Sequence, residues 1–134
     1  MILNNLRDTA HSTAVEKGWH EKEVTHGESI ALMHSELSEA LEAIRKGRRL
    51  TPAKWPMPIF KAIYRPTDHD VPDQDEYKAV FESEVKDLPG DELADVIIRI
   101  LDYCGKHDID IDLHVKAKML YNSGRSYRHG GKIF

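Results

Sequence analysis

A single cysteine, Cys104, stands in a chain of 134 residues. That excludes an intramolecular disulfide and any multi-cysteine zinc site, and it fits a reducing compartment. Basic charge is scarce too: 19 lysines and arginines against 23 acids leave a formal net charge of −4. The molecule as a whole gives no electrostatic reason to bind nucleic acid or an anionic membrane, so any anionic ligand must be met by a local site. No stretch approaches the ~18 apolar residues that a spanning helix needs, and the N-terminal MILNNLRDTAH lacks the apolar run of a secretory leader. A cytoplasmic protein with no membrane or nucleic-acid partner is the expectation. Proline is missing from most of the chain, because all six prolines fall between Pro52 and Pro89.

What is present suits helices. Hydrophobic residues make up 40% of the chain and charged residues 31%, a balance typical of amphipathic helices around one core. The length allows one domain, taken as residues 1–134. Leu3, Leu6, Ala10 and Ala14 recur at helical spacing over Ile2 to Lys17, and Gly18 is a suitable stop. A second helix begins near Thr25, where Thr25 and Glu28 have capping-box spacing, and runs to Lys46 before Gly47. Its apolar stripe is Ile30, Met33, Leu37, Leu41 and Ile44. Prolines make residues 52–89 an irregular excursion, with a short helix from Asp75 to Val85 where breakers are absent. A third main helix runs from Gly90-Asp91 to a stop at Gly105, with Leu93, Val96, Ile97, Ile100, Leu101 and Cys104 on one face. Asp110 or Asp112 caps a fourth, bearing Leu113, Ala117, Leu120 and Tyr121 and closed by Asn122-Ser123-Gly124. The expected fold is therefore an all-α bundle of about four main helices with a proline-rich excursion between the second and third.

The chemistry lies in the acids. Glu36 and Glu39 on the second helix, and Glu92 and Asp95 on the third, are each spaced i and i+3, which puts each pair on one side of its helix. At about 100° per residue, the first acid of each pair lies roughly 100° from the centre of its apolar stripe and the second about 160°. Two helices built to the same phase bring one acidic edge each to a shared rim when their apolar faces pack. Carboxylates gathered at close range repel, and some take up protons unless a cation compensates. An oxygen-only donor set favours Mg²⁺, with Mn²⁺ as a substitute, over zinc. Either pair alone is ordinarily a solvated helix face; the matched phase of the two is what carries weight.

Together HSELSEALEAIRKG and DELADVIIRILDYCG resemble the MazG-like, all-α nucleotide pyrophosphohydrolases, whose signature is Glu-x-x-Glu on one helix and Glu-x-x-Asp on the next. Glu36, Glu39, Glu92 and Asp95 occupy those positions. KAKMLYNSGRSYRHGGK resembles the ending of one MazG-like subgroup, where a lysine and an asparagine four residues on precede a short Arg-Tyr-Arg-His-Gly-Gly segment; Lys118 and Asn122 occupy the first two places. The resemblance covers helices two to four and the tail. The connection between the acidic pairs, residues 40–91, is longer than the signature usually has, and it serves either substrate entry or oligomer contacts.

The resemblance implies Mg²⁺-dependent attack of water on the α-phosphorus of a nucleoside or deoxynucleoside triphosphate, leaving a monophosphate and pyrophosphate. It implies metal ligation by Glu36, Glu39, Glu92 and Asp95, with one glutamate of the first pair, Glu39 or else Glu36, acting as general base. Lys118 and Asn122, spaced i and i+4, would meet the triphosphate, with Arg125, Tyr127 and Arg128 closing over it. Trp19 is the candidate for stacking on the base. Family sites are commonly assembled in dimers or tetramers, and four short helices leave much apolar surface to cover, so a homodimer or homotetramer is expected. Two other metal readings fail on spacing. His20-Glu21 begins a zincin motif, but Val24 stands where the second histidine is required. Glu23-x-x-His26 has no second Glu-x-x-His to complete a di-iron bundle. The main rival is a non-catalytic helical interaction protein with a basic C-terminal tail.

Overall fold

The computed structural model describes residues 1–64 and 73–127. These residues form six helices: α1 (Ile2–Glu16), α2 (His26–Arg45), α3 (Met57–Tyr64), α4 (Gln74–Glu84), α5 (Pro89–Lys106) and α6 (Ile111–Ser123). No strand occurs among the described residues, and no helix there is long and apolar enough to cross a membrane. The all-α expectation holds. The expected count of about four main helices does not cover what is seen, because α3 forms inside the proline-rich stretch. Its prolines fall at Pro56 and Pro58, ahead of and within the first turn, where a missing N–H costs no helical bond. Helix α4 lies where the short helix was expected, and the Asp73 side chain caps it by accepting from the Asp75 N–H at 3.2 Å.

The chain divides into two compact units, one of residues 1–25 with those from Ile98 onward, the other of residues 26–97. In the first unit α1 packs on α6, and their N-terminal turns cap each other. The first turn of a helix has backbone N–H groups without intrahelical partners. Here the Asn4 N–H donates to Asp112 Oδ2 at 2.8 Å, while the Asp112 N–H donates to Asn4 Oδ1 at 3.3 Å. Asn4 Nδ2 also donates to Asp110 Oδ1 at 2.9 Å, and the same oxygen accepts from the Leu113 N–H at 2.9 Å as the α6 cap. Those donors, the Leu113 N–H foremost, hold the Asp110 carboxyl below its ordinary value. Arg7 adds a bond from Nη1 to the Ile109 carbonyl at 2.8 Å.

Gly18 ends α1 with φ +79°, the left-handed conformation that glycine adopts without penalty. Gly105 was expected to end α5 and does not, since the helix continues to Lys106. Its smallness has another use. A Cβ at 105 would lie 2.5 Å from the Cβ of His11, so α1 approaches α5 this closely only over a glycine.

In the second unit α3 packs on α4, and Ala40, Ala43, Ile59, Val85, Pro89 and Val96 are buried. The excursion is closed at its neck. The Gly90 N–H donates to the Leu50 carbonyl at 2.9 Å, and Arg48 Nη1 donates to the Asp87 carbonyl at 3.2 Å. The long connection thus leaves and returns at one place.

The stripes expected to form the core need correction. On α2 the buried positions are Glu36, Ala40 and Ala43, while Ile30, Leu37, Leu41 and Ile44 remain 44%, 45%, 47% and 49% exposed. Within this unit, the N-terminal half of α5 buries Glu92 and Val96 and leaves Leu93 and Ile97 exposed. On α6 the expected face of Leu113, Ala117, Leu120 and Tyr121 is exposed, and Asp112 is the buried residue. Small side chains allow close helix approach, so the alanine face of α2 is the one turned inward, about 100° round from the large aliphatic residues.

Candidate active site

Glu36 and Glu39 sit in the middle of α2, and Glu92 lies in the first turn of α5, which begins at Pro89. Helix spacing presents Glu36 and Glu39 on one side, and the neck between Leu50 and Gly90 sets where α5 starts. The result is that one carboxylate oxygen from each of Glu36, Glu39 and Glu92 lies within 4.8 Å of the other two. Their environments differ: Glu36 and Glu92 are buried, at 9% and 8% exposure, while Glu39 is exposed.

That arrangement perturbs Glu92 strongly. Burial disfavours its charged form, and the neighbouring Glu39 adds like-charge repulsion and a side-chain hydrogen bond that favours the protonated carboxyl. Asp91 and Asp95 push the same way, and together these raise Glu92 from 4.5 to about 7. Asp95 is exposed and stands outside the 4.8 Å group, although its charge reaches Glu92. The sequence placed all four acids on one shared rim at the edge of the packed faces. The structure instead brings three of them together and buries two, because the inward face of α2 is the one that carries Glu36.

The other expected site residues belong to the first unit. Lys118 and Asn122 are exposed on α6. Lys118 Nζ lies 4.9 Å from the ring centre of Tyr121, and Arg125 Cζ lies 5.7 Å from it, so two cations flank one aromatic ring. Tyr127 is exposed. Arg128 falls outside the described residues. Trp19 is exposed rather than core, and the Arg99 guanidinium stands 6.0 Å from its ring centre.

Sequence reasoning missed one polar cluster, that of His11, His20 and Asp102. Asp102 lies 91 positions after His11 and 82 after His20, and no local spacing relates it to them. The Gly18 turn ahead of His20 was the only trace.

No family model matches the chain, and no curated protein or solved structure matches it either.

Proposed function

We propose that the protein is a Mg²⁺-dependent nucleoside triphosphate pyrophosphohydrolase of the MazG-like, all-α class, acting on a nucleoside or deoxynucleoside triphosphate in the cytoplasm. The observation that carries this reading is the meeting of Glu36, Glu39 and Glu92 within 4.8 Å, with the Glu92 carboxyl pushed up to about 7 by burial and by Glu39. A divalent cation suits that donor set. It consists of oxygens alone, and a cation offsets the burial and the like-charge repulsion that otherwise favour a proton on Glu92. Glu36, Glu39 and Glu92 would hold Mg²⁺ or Mn²⁺, with Asp95 from the next turn of α5 completing the set. When bound, the cation supplies charge neutralisation on the phosphates and a lowered pKa for water.

The residues themselves divide the remaining work. Glu39, the exposed member beside two buried partners, accepts a proton from the attacking water; Glu36 is the alternative base. The water oxygen bonds to the α-phosphorus while the bond from that phosphorus to the bridging oxygen breaks, and pyrophosphate leaves. Lys118, Asn122 and Arg125, with Arg128 and Tyr127 of the tail, would meet triphosphate charge, and the exposed Trp19 ring would stack on the base. Phosphoryl transfer of this kind depends more on positioning and charge than on covalent chemistry.

The deciding assay is product analysis on a panel of NTPs and dNTPs with and without Mg²⁺. Equal amounts of monophosphate and pyrophosphate, formed only with the metal, are expected. Release of inorganic phosphate would place the cleavage at another phosphorus and overturn the pyrophosphohydrolase reading, and no turnover by the folded chain would leave the non-catalytic interaction protein as the better one.

A homo-oligomer is part of the same proposal. Exposed Ile30, Leu37, Leu41 and Ile44 on α2, with Leu93 and Ile97 on α5, are more aliphatic surface than a soluble monomer ordinarily leaves uncovered. A second copy of the chain would cover it. Light scattering is expected to give a mass of at least twice 15.4 kDa, and a monomer at assay concentrations would count against it.

A further inference from the structure

The cluster in the first unit has no part in the reaction above. His11 Nδ1 stands 2.8 Å from Asp102 Oδ1, and His20 Nε2 stands 2.8 Å from that same oxygen and 3.1 Å from Oδ2. The two rings meet edge to face with centres 5.0 Å apart. The side chains of His11, His20 and Asp102 retain 30%, 21% and 19% of their exposure, so the trio is partly sheltered and reachable from solvent on one side. Its geometry is set by the backbone. Gly18, at φ +79°, turns the chain after α1 so that His20 returns. Gly105 removes the side chain that would collide with His11. Here both nitrogens converge on one oxygen, and donor atoms from all three residues lie within 4.8 Å of one another.

We propose that His11, His20 and Asp102 form a second metal site, selective for a borderline divalent cation of the Zn²⁺ class and separate from the carboxylate group of the second unit. Imidazole nitrogens with a carboxylate suit Zn²⁺, Co²⁺ or Ni²⁺, whereas Mg²⁺ prefers oxygen donors. Three protein ligands leave a fourth tetrahedral position for water or an outside ligand. Bonds of ~2.0–2.2 Å at tetrahedral angles put donor atoms about 3.3–3.5 Å apart, so the present 2.8 Å contacts need to open by roughly half an ångström. The cation takes the place of the hydrogens that now bridge His11 Nδ1 and His20 Nε2 to Asp102. Each neutral imidazole then carries its single hydrogen on the far nitrogen, Nε2 of His11 and Nδ1 of His20, having exchanged it through water, so no net proton is released and the ligand set keeps its total charge.

The test is Co²⁺ titration of the full chain after treatment with a chelator, read by visible d–d absorption. The expected result is saturation at one Co²⁺ per chain, reversed by Zn²⁺ and not by Mg²⁺. The signal should persist in Glu36→Gln and Glu39→Gln, and Co²⁺ affinity should fall at least ~10-fold in His11→Gln and in His20→Gln. Because either histidine variant can lose its fold, the unmutated Co²⁺ protein is also examined by NMR, where two hyperfine-shifted exchangeable imidazole N–H signals are expected. No Co²⁺ absorption, absorption unchanged in His20→Gln, loss of the signal in Glu39→Gln, or fewer than two shifted imidazole signals would each overturn the proposal. Failure of the pyrophosphate assay leaves this result untouched, since the two sites share no residue.

Discussion

Glu39→Gln is expected to lower Mg²⁺-dependent pyrophosphate release by about 10²–10⁴-fold, the usual contribution of a positioned general base. The fold should survive, because Glu39 is exposed and glutamine keeps nearly the same shape. The substitution also removes one of the like charges that raise Glu92, so the variant should be at least as stable as the parent without metal. A loss of activity with a retained or higher Tm therefore separates a catalytic role from a structural one. Activity within a few-fold of the parent would shift the base to Glu36. If Glu36→Gln were equally active, neither glutamate of the first pair would be the base.

The metal-free protein should lose stability as pH rises from about 4.5 to about 7, the window between the ordinary and folded values of Glu92. The sign follows from proton counts. Across that window the folded chain holds a proton on Glu92 that the unfolded chain has released, so raising pH favours unfolding. A shift of this size is worth on the order of 1–3 kcal/mol once solvent screening is allowed for. Glu92→Gln should flatten this part of the profile. Mg²⁺ acts oppositely, because it binds the ionised carboxylates, so the rise in Tm on adding Mg²⁺ should be larger at pH 8 than at pH 5. Thermal unfolding across pH, with Mg²⁺ and with a chelator, measures both. A metal-free Tm that rises through this window would contradict the buried, protonated Glu92.

Helix boundaries were legible because local chemistry sets them. Gly18 and Gly47 both adopt positive φ where stops were expected, and Asp110 caps α6. The acidic pairs were legible because i and i+3 spacing on one helix is a geometric certainty. Which face of each helix turned inward was not. Periodicity locates the most apolar side of a helix, and α2 instead packs through Ala40 and Ala43 and takes Glu36 inside with them. Gly105 misled for a related reason: a glycine near a helix end reads as a stop, and its use as a seat for His11 depends on a residue 94 positions earlier, which local pattern cannot report. The meeting of His11, His20 and Asp102 was hidden for the same reason.

The reciprocal capping of α1 and α6 also fixes an order of events during synthesis. Residues 26–97 form an uninterrupted stretch that can complete its own unit as it leaves the ribosome, whereas Asn4 must wait for Asp112, 108 residues later. At ~5–20 residues per second, α1 spends roughly 5–20 s without the partner that satisfies its first turn. During that interval the nascent chain holds its carboxylate cluster before its terminal helices are tied together, and α1 is open to chaperones and proteases.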